Sequence, residues 1–485
     1  MSITTANGIT TDDFTTNTAA SYTSDHTDGG TNGSQTFDTA NKRLLITGGN
    51  DTAFYYNGLT LFNSFAEVDM DQSDGGGVQV MRSSTALSYN LYIKDSQATT
   101  NPNTFILYSL PNYTVLAQGS ISFTRGTKHT IRLEVVRYDL VIYFDGQVIA
   151  IAGSSDVQTS GKCGMLGGGS ATQHYLRFAV GDFDNLIKPA PPHYPTDGHA
   201  IYDYGTYMSS PTLYKARLDT FAAAGFKLVM NYSLIYDTTA HMLDYINYAA
   251  SLGMKVVVSL KDPFLWLSPA IQANIPIMYA ESGNKSTDAT FTPYVVNAVK
   301  SLAGVWGYYV GDEVAFSNKA ALQTHISVIA GADNAHPTLQ IQSDLSSSVH
   351  RLTTDWTGCA SVIGDDVYPY PDVPHPSVEE VAYGIGKYCA FHGAIQQAIA
   401  LQCYAKDGIN NPTQAMMSGW ITSVLAYMQP RVILWFAYPD LLTSPNSSQL
   451  WSDLTAAIAA NMYHPPSNVI LRARSGAVIL RAREL

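Results

Sequence analysis

At 485 residues the chain is too long for one ordinary core, so two or three domains are expected. It is 46% hydrophobic and only 14% charged, and its net charge of −12 argues against a nucleic-acid partner, which calls for a basic face. No run of about 18 apolar residues predicts a membrane span, and four dispersed cysteines (Cys163, Cys359, Cys389, Cys403) lack the spacing of a zinc site or a dense disulfide framework.

Residues 1–35 are Thr, Ser, Asn, Gly and Asp with hardly an apolar residue. That composition predicts a polar lead-in arm, extended or disordered unless something pins it, or one that orders on a partner. No basic region followed by an apolar segment opens the chain, so no secretory signal is visible.

From 36 to 185 short alternating runs are punctuated by turn residues. Leu44–Thr47, Ser64–Met70, Asn90–Lys94, Thr104–Tyr108, His129–Val136 and Leu140–Ile149 read as strands, and Asp145-Gly146 as a hairpin turn. Many short strands with Gly-rich turns predict an all-β sandwich. Residues 186–198, with four prolines, read as a stiff linker.

From 199 to 463 strand-like runs alternate with helical stretches, the pattern of βα units around a parallel sheet. The expected strands are Ala200–Tyr204, Lys227–Asn231, Lys255–Ser259, Val305–Val310, Thr338–Gln342, Ala360–Ile363, Ala398–Gln402 and Arg431–Phe436. Helices Thr212–Ala224 and Ala240–Leu252 stop at Gly225 and Gly253. Eight strands in roughly 265 residues match one (β/α)8 barrel. In residues 464–485, Val469-Ile-Leu-Arg-Ala-Arg474 recurs as Val478-Ile-Leu-Arg-Ala-Arg483, which suggests a basic assembly tail or a frayed end. The expected fold class is therefore multidomain, a jelly-roll sandwich followed by an α/β (β/α)8 TIM barrel.

Barrel enzymes keep their chemistry where strands end, on the C-terminal rim. Gly304-Val-Trp-Gly-Tyr-Tyr-Val-Gly-Asp-Glu313 is a buried strand followed by two carboxylates, Asp312 and Glu313; an acidic helix N-terminus is the plainer reading. The other rim positions are Asp203 and Tyr204, Asn231 and Tyr232, Lys261, Asp262 and Trp266, Asp344, Asp365, Asp366, Tyr368 and Tyr370, Gln402 and Tyr404, then Trp435, Tyr438 and Asp440. This rim is acidic, amide-rich and aromatic, without a histidine pair spaced for a metal, so neither metal nor cofactor is expected. Aromatic faces stack on sugar rings, amides and carboxylates bind hydroxyls, and two acids handle a glycosidic bond. For Trp306 and Trp420 core packing is the expected role, and for Trp435 a rim role.

Two family resemblances follow. His129-Thr-Ile-Arg-Leu-Glu-Val135, Val141-Ile-Tyr-Phe-Asp-Gly-Gln-Val148 and Gly161-Lys-Cys-Gly-Met-Leu-Gly-Gly168 resemble concanavalin-like, laminin-G-type jelly rolls, which either bind glycans or serve as spacers. Tyr308-Tyr-Val-Gly-Asp-Glu313, Ile363-Gly-Asp-Asp-Val-Tyr-Pro369, Leu401-Gln-Cys-Tyr404, Asn411-Pro-Thr413 and Val432-Ile-Leu-Trp-Phe-Ala-Tyr438 resemble (β/α)8 glycoside hydrolases of the large clan with an acid/base Glu after strand four. The likeness implies Glu313 as general acid/base. That clan's nucleophile is a Glu after strand seven, where this chain has Gln402. The second acid is therefore expected to be Asp366, with Asp312 and Asp365 as further candidates. A carboxyl separation of about 5–5.5 Å would mean retention and about 6.5–9.5 Å inversion.

The expected activity is hydrolysis of a polysaccharide or cell-surface glycan, outside the cell or on a particle surface, with no nucleic acid or membrane involved. Substrate contacts are expected from Asp203, Tyr204, Asn231, Trp266, Asp365, Tyr368, Gln402, Trp435 and Tyr438. The competing readings are a non-catalytic carbohydrate-binding protein, an assembly component of a phage or other particle that pairs through residues 1–35 or 464–485, and a lyase.

Overall fold

The structure, a computed structural model, describes residues 3–26, 33–47, 52–83, 87–94, 103–154, 156, 160–168, 172–188, 194–343, 356–371, 377–393 and 395–461. The repeated tail at 464–485 and Asp344 lie outside them.

Two antiparallel sheets form the N-terminal half, one of nine strands and one of seven. Val68, Leu133, Ile142 and Phe178 from one sheet meet Val80, Leu91, Leu107 and Met165 from the other in a common core. The hairpin at Asp145-Gly146 has φ of 49° and 79°, the left-handed pair that lets a two-residue turn follow strand twist.

The expected lead-in arm is corrected by this sheet. Ile3–Ala6 and Ile9–Asp12 form a hairpin whose second strand pairs with Thr172–Asp182, and Tyr22–His26 pairs with Thr52–Tyr56. A few well-placed residues suffice to pin the segment. Phe14 and Tyr22 are buried in the sandwich core, and Asp12 accepts hydrogen bonds from Phe14 N, Thr18 Oγ1 and Tyr22 Oη.

The C-terminal half is a closed barrel of eight parallel strands: β1 His199–Asp203, β2 Leu228–Asn231, β3 Lys255–Ser259, β4 Val305–Asp312, β5 Thr338–Ser343, β6 Val362–Val367, β7 Gln396–Gln402 and β8 Pro430–Phe436. Around it run α1 Pro211–Ala223, α2 Thr239–Ser251, α3 Asp288–Val299, α4 Lys319–Ala332, α5 Val378–His392, α6 Gln414–Tyr427 and α7 Ser447–Ala460. Gly225 and Gly253 close α1 and α2 with φ of 89° and 74°, the left-handed conformation a Cβ disfavours. The expected strand six stopped at Ile363; β6 runs four residues further, so Asp365 and Asp366 stand within it. No helix is described between β5 and β6.

Side-chain alternation assigns the two faces of the barrel wall. Ala200, Tyr202, Leu228, Met230, Val257, Tyr309, Leu339, Val362, Ala400 and Leu434 fill the interior. Ile201, Val229, Val258, Ile363, Leu401 and Ile433 pack outward under the helices.

The barrel's outer core continues into the sandwich. Phe65, Val136, Val141, Tyr143 and Ala179, on the far face of the nine-stranded sheet, share one cluster with Tyr383 of α5 and Tyr427 of α6. At its centre the buried carboxylate of Glu134 accepts from Arg132 (2.9 and 2.6 Å), Ile187 N (2.7 Å), Tyr143 Oη (3.0 Å) and Tyr383 Oη (2.8 Å). Lys387 of α5 adds an ammonium 3.9 Å away. Glu380, in the capping box that starts α5, reaches Asn63 and Arg137 of the sandwich. None of the four cysteines is joined in a disulfide; Cys359 is half-buried and the others buried.

Candidate active site

The C-terminal mouth of the barrel gathers the acids expected there, but period-two alternation splits the expected rim into two groups. Tyr204, Asp312, Asp366 and Tyr368 face the mouth. Asp203, Asn231, Asp365 and Trp435 do not.

Glu313 follows directly on β4. A register shift between Tyr309 and Gly311 bends the strand, and Glu313 takes a left-handed φ of 48° while its N–H still bonds Ile341 O at 2.9 Å. For a residue with a Cβ that conformation costs about 1–2 kcal/mol. It leaves the exposed Glu313 side chain near Asp366 of β6, close enough for its charge to act on that carboxyl.

Asp366 is only 4% exposed. Burial, then the charge of Asp365, then the charge of Glu313 and the hydrogen bond to it hold its carboxyl well above the usual carboxylate range; a Tyr368 hydrogen bond opposes them. Asp366 is thus the carboxyl at the mouth that holds its proton where a free one has lost it. Tyr202, inside the barrel, feels both Asp312 and Asp366; burial first and these charges second keep its hydroxyl protonated.

Asp312 has a different environment. Its carboxylate accepts from Tyr309 Oη at 2.6 Å and Tyr232 Oη at 3.3 Å, and pairs with Lys261 Nζ at 2.9 Å. Lys261 also lies 4.3 Å over the Tyr232 ring. Neutralised and held on both oxygens, Asp312 organises the mouth and is poorly placed to act as the second acid.

A cleft of ≈ 680 Å³ opens among Tyr204, Tyr232, Tyr236, Lys261, Asp262 and Phe436; neither Glu313 nor Asp366 lines it. Tyr204 stacks on Tyr232 at 6.2 Å, and Tyr232 on Tyr309 at 5.9 Å. Phe436 joins this wall to Tyr368 at 5.6 Å, next to Asp366. Burial, with the Asp312 charge, holds Asp262 above the ordinary carboxylate range against the Lys261 charge and the Tyr236 hydrogen bond, which lower it.

The remaining expected contacts are corrected by their surroundings. Asp203 points to the helix layer, where it bonds Tyr207 and pairs with Arg217 of α1 at 2.6 Å; burial outweighs the ion pair and pushes its carboxyl to about 6. Asn231 is fully buried against Tyr207 and Met208. Asp365 is buried behind the sheet. Trp435 is fully buried and donates to His199 Nδ1 at 3.1 Å; burial lowers that imidazole to about 4, which keeps it a neutral acceptor. Tyr438 packs on Phe221 and Trp451 of the helix layer, and Trp266 on His325 of α4. Phe436, missing from the expected contacts, takes the place assigned to Trp435, one residue earlier on the strand.

Gln402 is also redirected. Its Oε1 accepts Tyr370 N at 3.0 Å, and its Nε2 donates to Tyr370 O at 2.7 Å and Tyr404 O at 2.8 Å. It clamps the loop after β6 and has no N–H left over for a ligand. Gln402→Glu is therefore expected to impair the protein, because it replaces two donated bonds with a buried carboxylate facing two carbonyls. A loss of about 2–4 kcal/mol in a denaturant titration, without gain of turnover, is the expected outcome. Higher turnover would show instead that the position accepts a nucleophile.

Among the described residues no group of three or more His, Cys, Asp or Glu side chains could hold a metal ion.

No protein-family model matches the chain, and no curated protein is similar to it in sequence. Among solved structures it is similar to an endo-β-1,4-mannanase from Thermotoga petrophila (12% identity, 56% of this chain and 78% of that one, TM-score 0.36). It is also similar to a GH2 β-galacturonidase from Eisenbergiella tayi (8% identity, 86% and 69%, TM-score 0.40). The sandwich is similar to a galectin-like protein of unknown function from Bacillus subtilis (12% identity, 36% and 94%, TM-score 0.29). Likenesses of this size carry neither substrate nor mechanism to this chain.

Proposed function

We propose that the protein is a glycoside hydrolase acting on a polysaccharide or cell-surface glycan, with Asp366 and Glu313 as its two working carboxyl groups. The observation that supports this best is a buried, protonated Asp366 at the barrel mouth on which the charge of Glu313 acts. Asp366 is the group suited to protonate the leaving glycosidic oxygen, since its surroundings keep it protonated where a free carboxyl is ionised. Glu313, exposed at the end of β4, is suited to attack the anomeric carbon or to activate water. This reverses the roles that the family resemblance implies. The separation of the two carboxyls around a bound sugar would decide between retention and inversion. Tyr204, Tyr232 and Phe436 would supply ring faces for the sugar. A polymeric glycan as substrate goes with action outside the cell or on a particle surface.

A non-catalytic glycan-binding reading has one observation in its favour: Gln402 occupies the strand-seven position and is fully engaged with backbone. Reducing-sugar release from plant, algal and bacterial polysaccharides, compared between the native protein and Glu313→Gln, separates the two. The expected result is release that falls by at least about 10²-fold in the variant. Release unaffected by the change would remove Glu313 from the mechanism. Binding of a polysaccharide with no release from any would favour the binding protein.

A further inference from the structure

The barrel and the sandwich do not close completely on each other. At the N-terminal end of the barrel, opposite the mouth, they enclose a pocket of ≈ 520 Å³. The sandwich walls one side with Tyr143 and the hairpin that carries Gln147 and Val148. The end of α5, the start of β7 and the turn before β8 wall the other. Ile187 and Lys188, in the chain that joins the two domains, complete it.

This pocket runs against the charge of the molecule. The chain carries a net −12, yet the described residues lining the pocket include two lysines, Lys188 and Lys387, and no Asp or Glu. Lys387 is only 8% exposed, an unusual place for an ammonium. One of its N–H groups donates to Ile187 O at 2.5 Å. Its carboxylate neighbour Glu134 stands 3.9 Å away, beyond hydrogen-bond reach, and is already bonded by Arg132, Tyr143, Tyr383 and Ile187 N. The ring faces of Tyr143 and Tyr383 lie 5.3 and 5.2 Å from it, within cation–π range. Burial, aided by the Arg132 charge, still draws the ammonium below the ordinary lysine value against the pull of Glu134. An ammonium has three donors and no acceptor, so the group that completes this one is an oxygen anion.

Lys188 supplies a second cation close by, since it directly follows Ile187, whose carbonyl Lys387 uses. Its Nζ lies 4.9 Å over the Tyr427 ring. Burial first, then the charges of Asp184, Glu379 and Asp182, push the Tyr427 hydroxyl up to about 12, so that wall stays neutral. Of the acids nearby, Asp182 is bonded by Asn185, Glu379 by Ser423, and Asp145 by His129 and Thr130 N. The lining also offers apolar surface from Val148, Met428 and two large side chains left exposed, Ile187 and Phe391.

We infer that this pocket binds a small organic anion, with a carboxylate or phosphate on Lys387 and Lys188 and an apolar body against Phe391 and Met428. Such a ligand touches both domains at once and so fastens the sandwich to the barrel. The site lies away from the barrel mouth and does not rest on the hydrolase reading.

The test uses the full chain with sodium benzoate and sodium phenyl phosphate as probes, benzyl alcohol as their neutral counterpart and sodium chloride at matched ionic strength. Titration calorimetry and melting curves are read together. At least one of the two organic anions is expected to bind saturably with Kd below about 1 mM, and to raise the melting temperature by about 2–4 °C at 100 times Kd. Lys188→Ala and Phe391→Ala change exposed side chains and leave folding intact; each is expected to weaken binding about three- to tenfold. Lys387→Met, which keeps the stem and removes the charge, is expected to abolish binding while its melting curve stays cooperative. Binding of benzoate alone assigns the pocket to carboxylates, and of phenyl phosphate alone to phosphates. The inference is overturned if neither anion binds, if benzyl alcohol binds as tightly as they do, if sodium chloride reproduces the shift, or if Lys188→Ala and Phe391→Ala bind as tightly as the wild type. Sugar release is read separately, so failure here leaves the hydrolase reading standing.

Discussion

Asp366→Asn is expected to lose up to about 10⁴-fold in turnover of a natural glycan while melting at a higher temperature than the wild type at neutral pH. Both effects come from one carboxyl group. A sugar alkoxide is a poor leaving group, so the step depends on a proton delivered by the acid, and an amide cannot deliver it. A glycoside with an acidic phenol as leaving group needs no such proton, and the variant should keep most of its turnover on that substrate. Loss on both substrates alike would move Asp366 from acid to nucleophile.

The stability effect follows from the direction of the Asp366 shift. Its folded value lies above its unfolded value, so folding holds that proton more tightly than the unfolded chain does. Its contribution to stability is complete below the unfolded value of about 3.9 and is lost as pH rises through the raised folded value. Asparagine does not ionise. The variant should therefore gain on the wild type as pH rises across that window and show no such gain in acid. Melting curves at several pH values check this, and a constant difference or a uniform loss would contradict a buried Asp366 held in its protonated form.

Glu134→Ala is expected to give the largest loss of stability, about 3–5 kcal/mol. Removing this fully buried carboxylate leaves the guanidinium of Arg132 and the hydroxyls of Tyr143 and Tyr383 without their shared acceptor, and Lys387 without its nearest carboxylate. Because Tyr383 belongs to the barrel and Glu134 to the sandwich, the damage falls on the junction between them. Tyr383→Phe, which removes a single hydrogen bond, should cost about 1 kcal/mol. Denaturant titrations of both variants are the check. A Glu134→Ala loss no greater than that of Tyr383→Phe would mean that the junction relaxes around the missing group and that the network is not cooperative.

Much of the architecture was legible in the sequence because it rests on local signals. β-branched runs such as Val256-Val-Val258, the terminal Gly225 and Gly253, and Asp145-Gly146 specify strands, helix ends and a turn through neighbouring residues alone. Glu313, Asp366 and Tyr204 were legible as rim residues because strand ends are where barrels expose side chains. Alternation along each strand would have sorted the others too. Counting back from the apolar pairs Ala200/Ile201 and Leu434/Trp435 puts Asp203 and Trp435 on the helix side and Phe436 at the mouth.

Composition hid the first strands, since an average over 35 residues dilutes Ile9, Phe14 and Tyr22, the few that anchor them. The sequence by itself therefore determined the element order, the two-part fold and the presence of carboxylates at the barrel mouth. Only the tertiary structure decided which carboxylates lie near one another. The charge of Glu313 acts on Asp366, two strands around the barrel, from the end of β4, where the strand bulges and Glu313 takes a left-handed φ. Asp312, one residue away, is neutralised by Lys261 and two tyrosines. Proton affinity, ion pairing and burial depend on distances across the sheet, and no local run of residues encodes those.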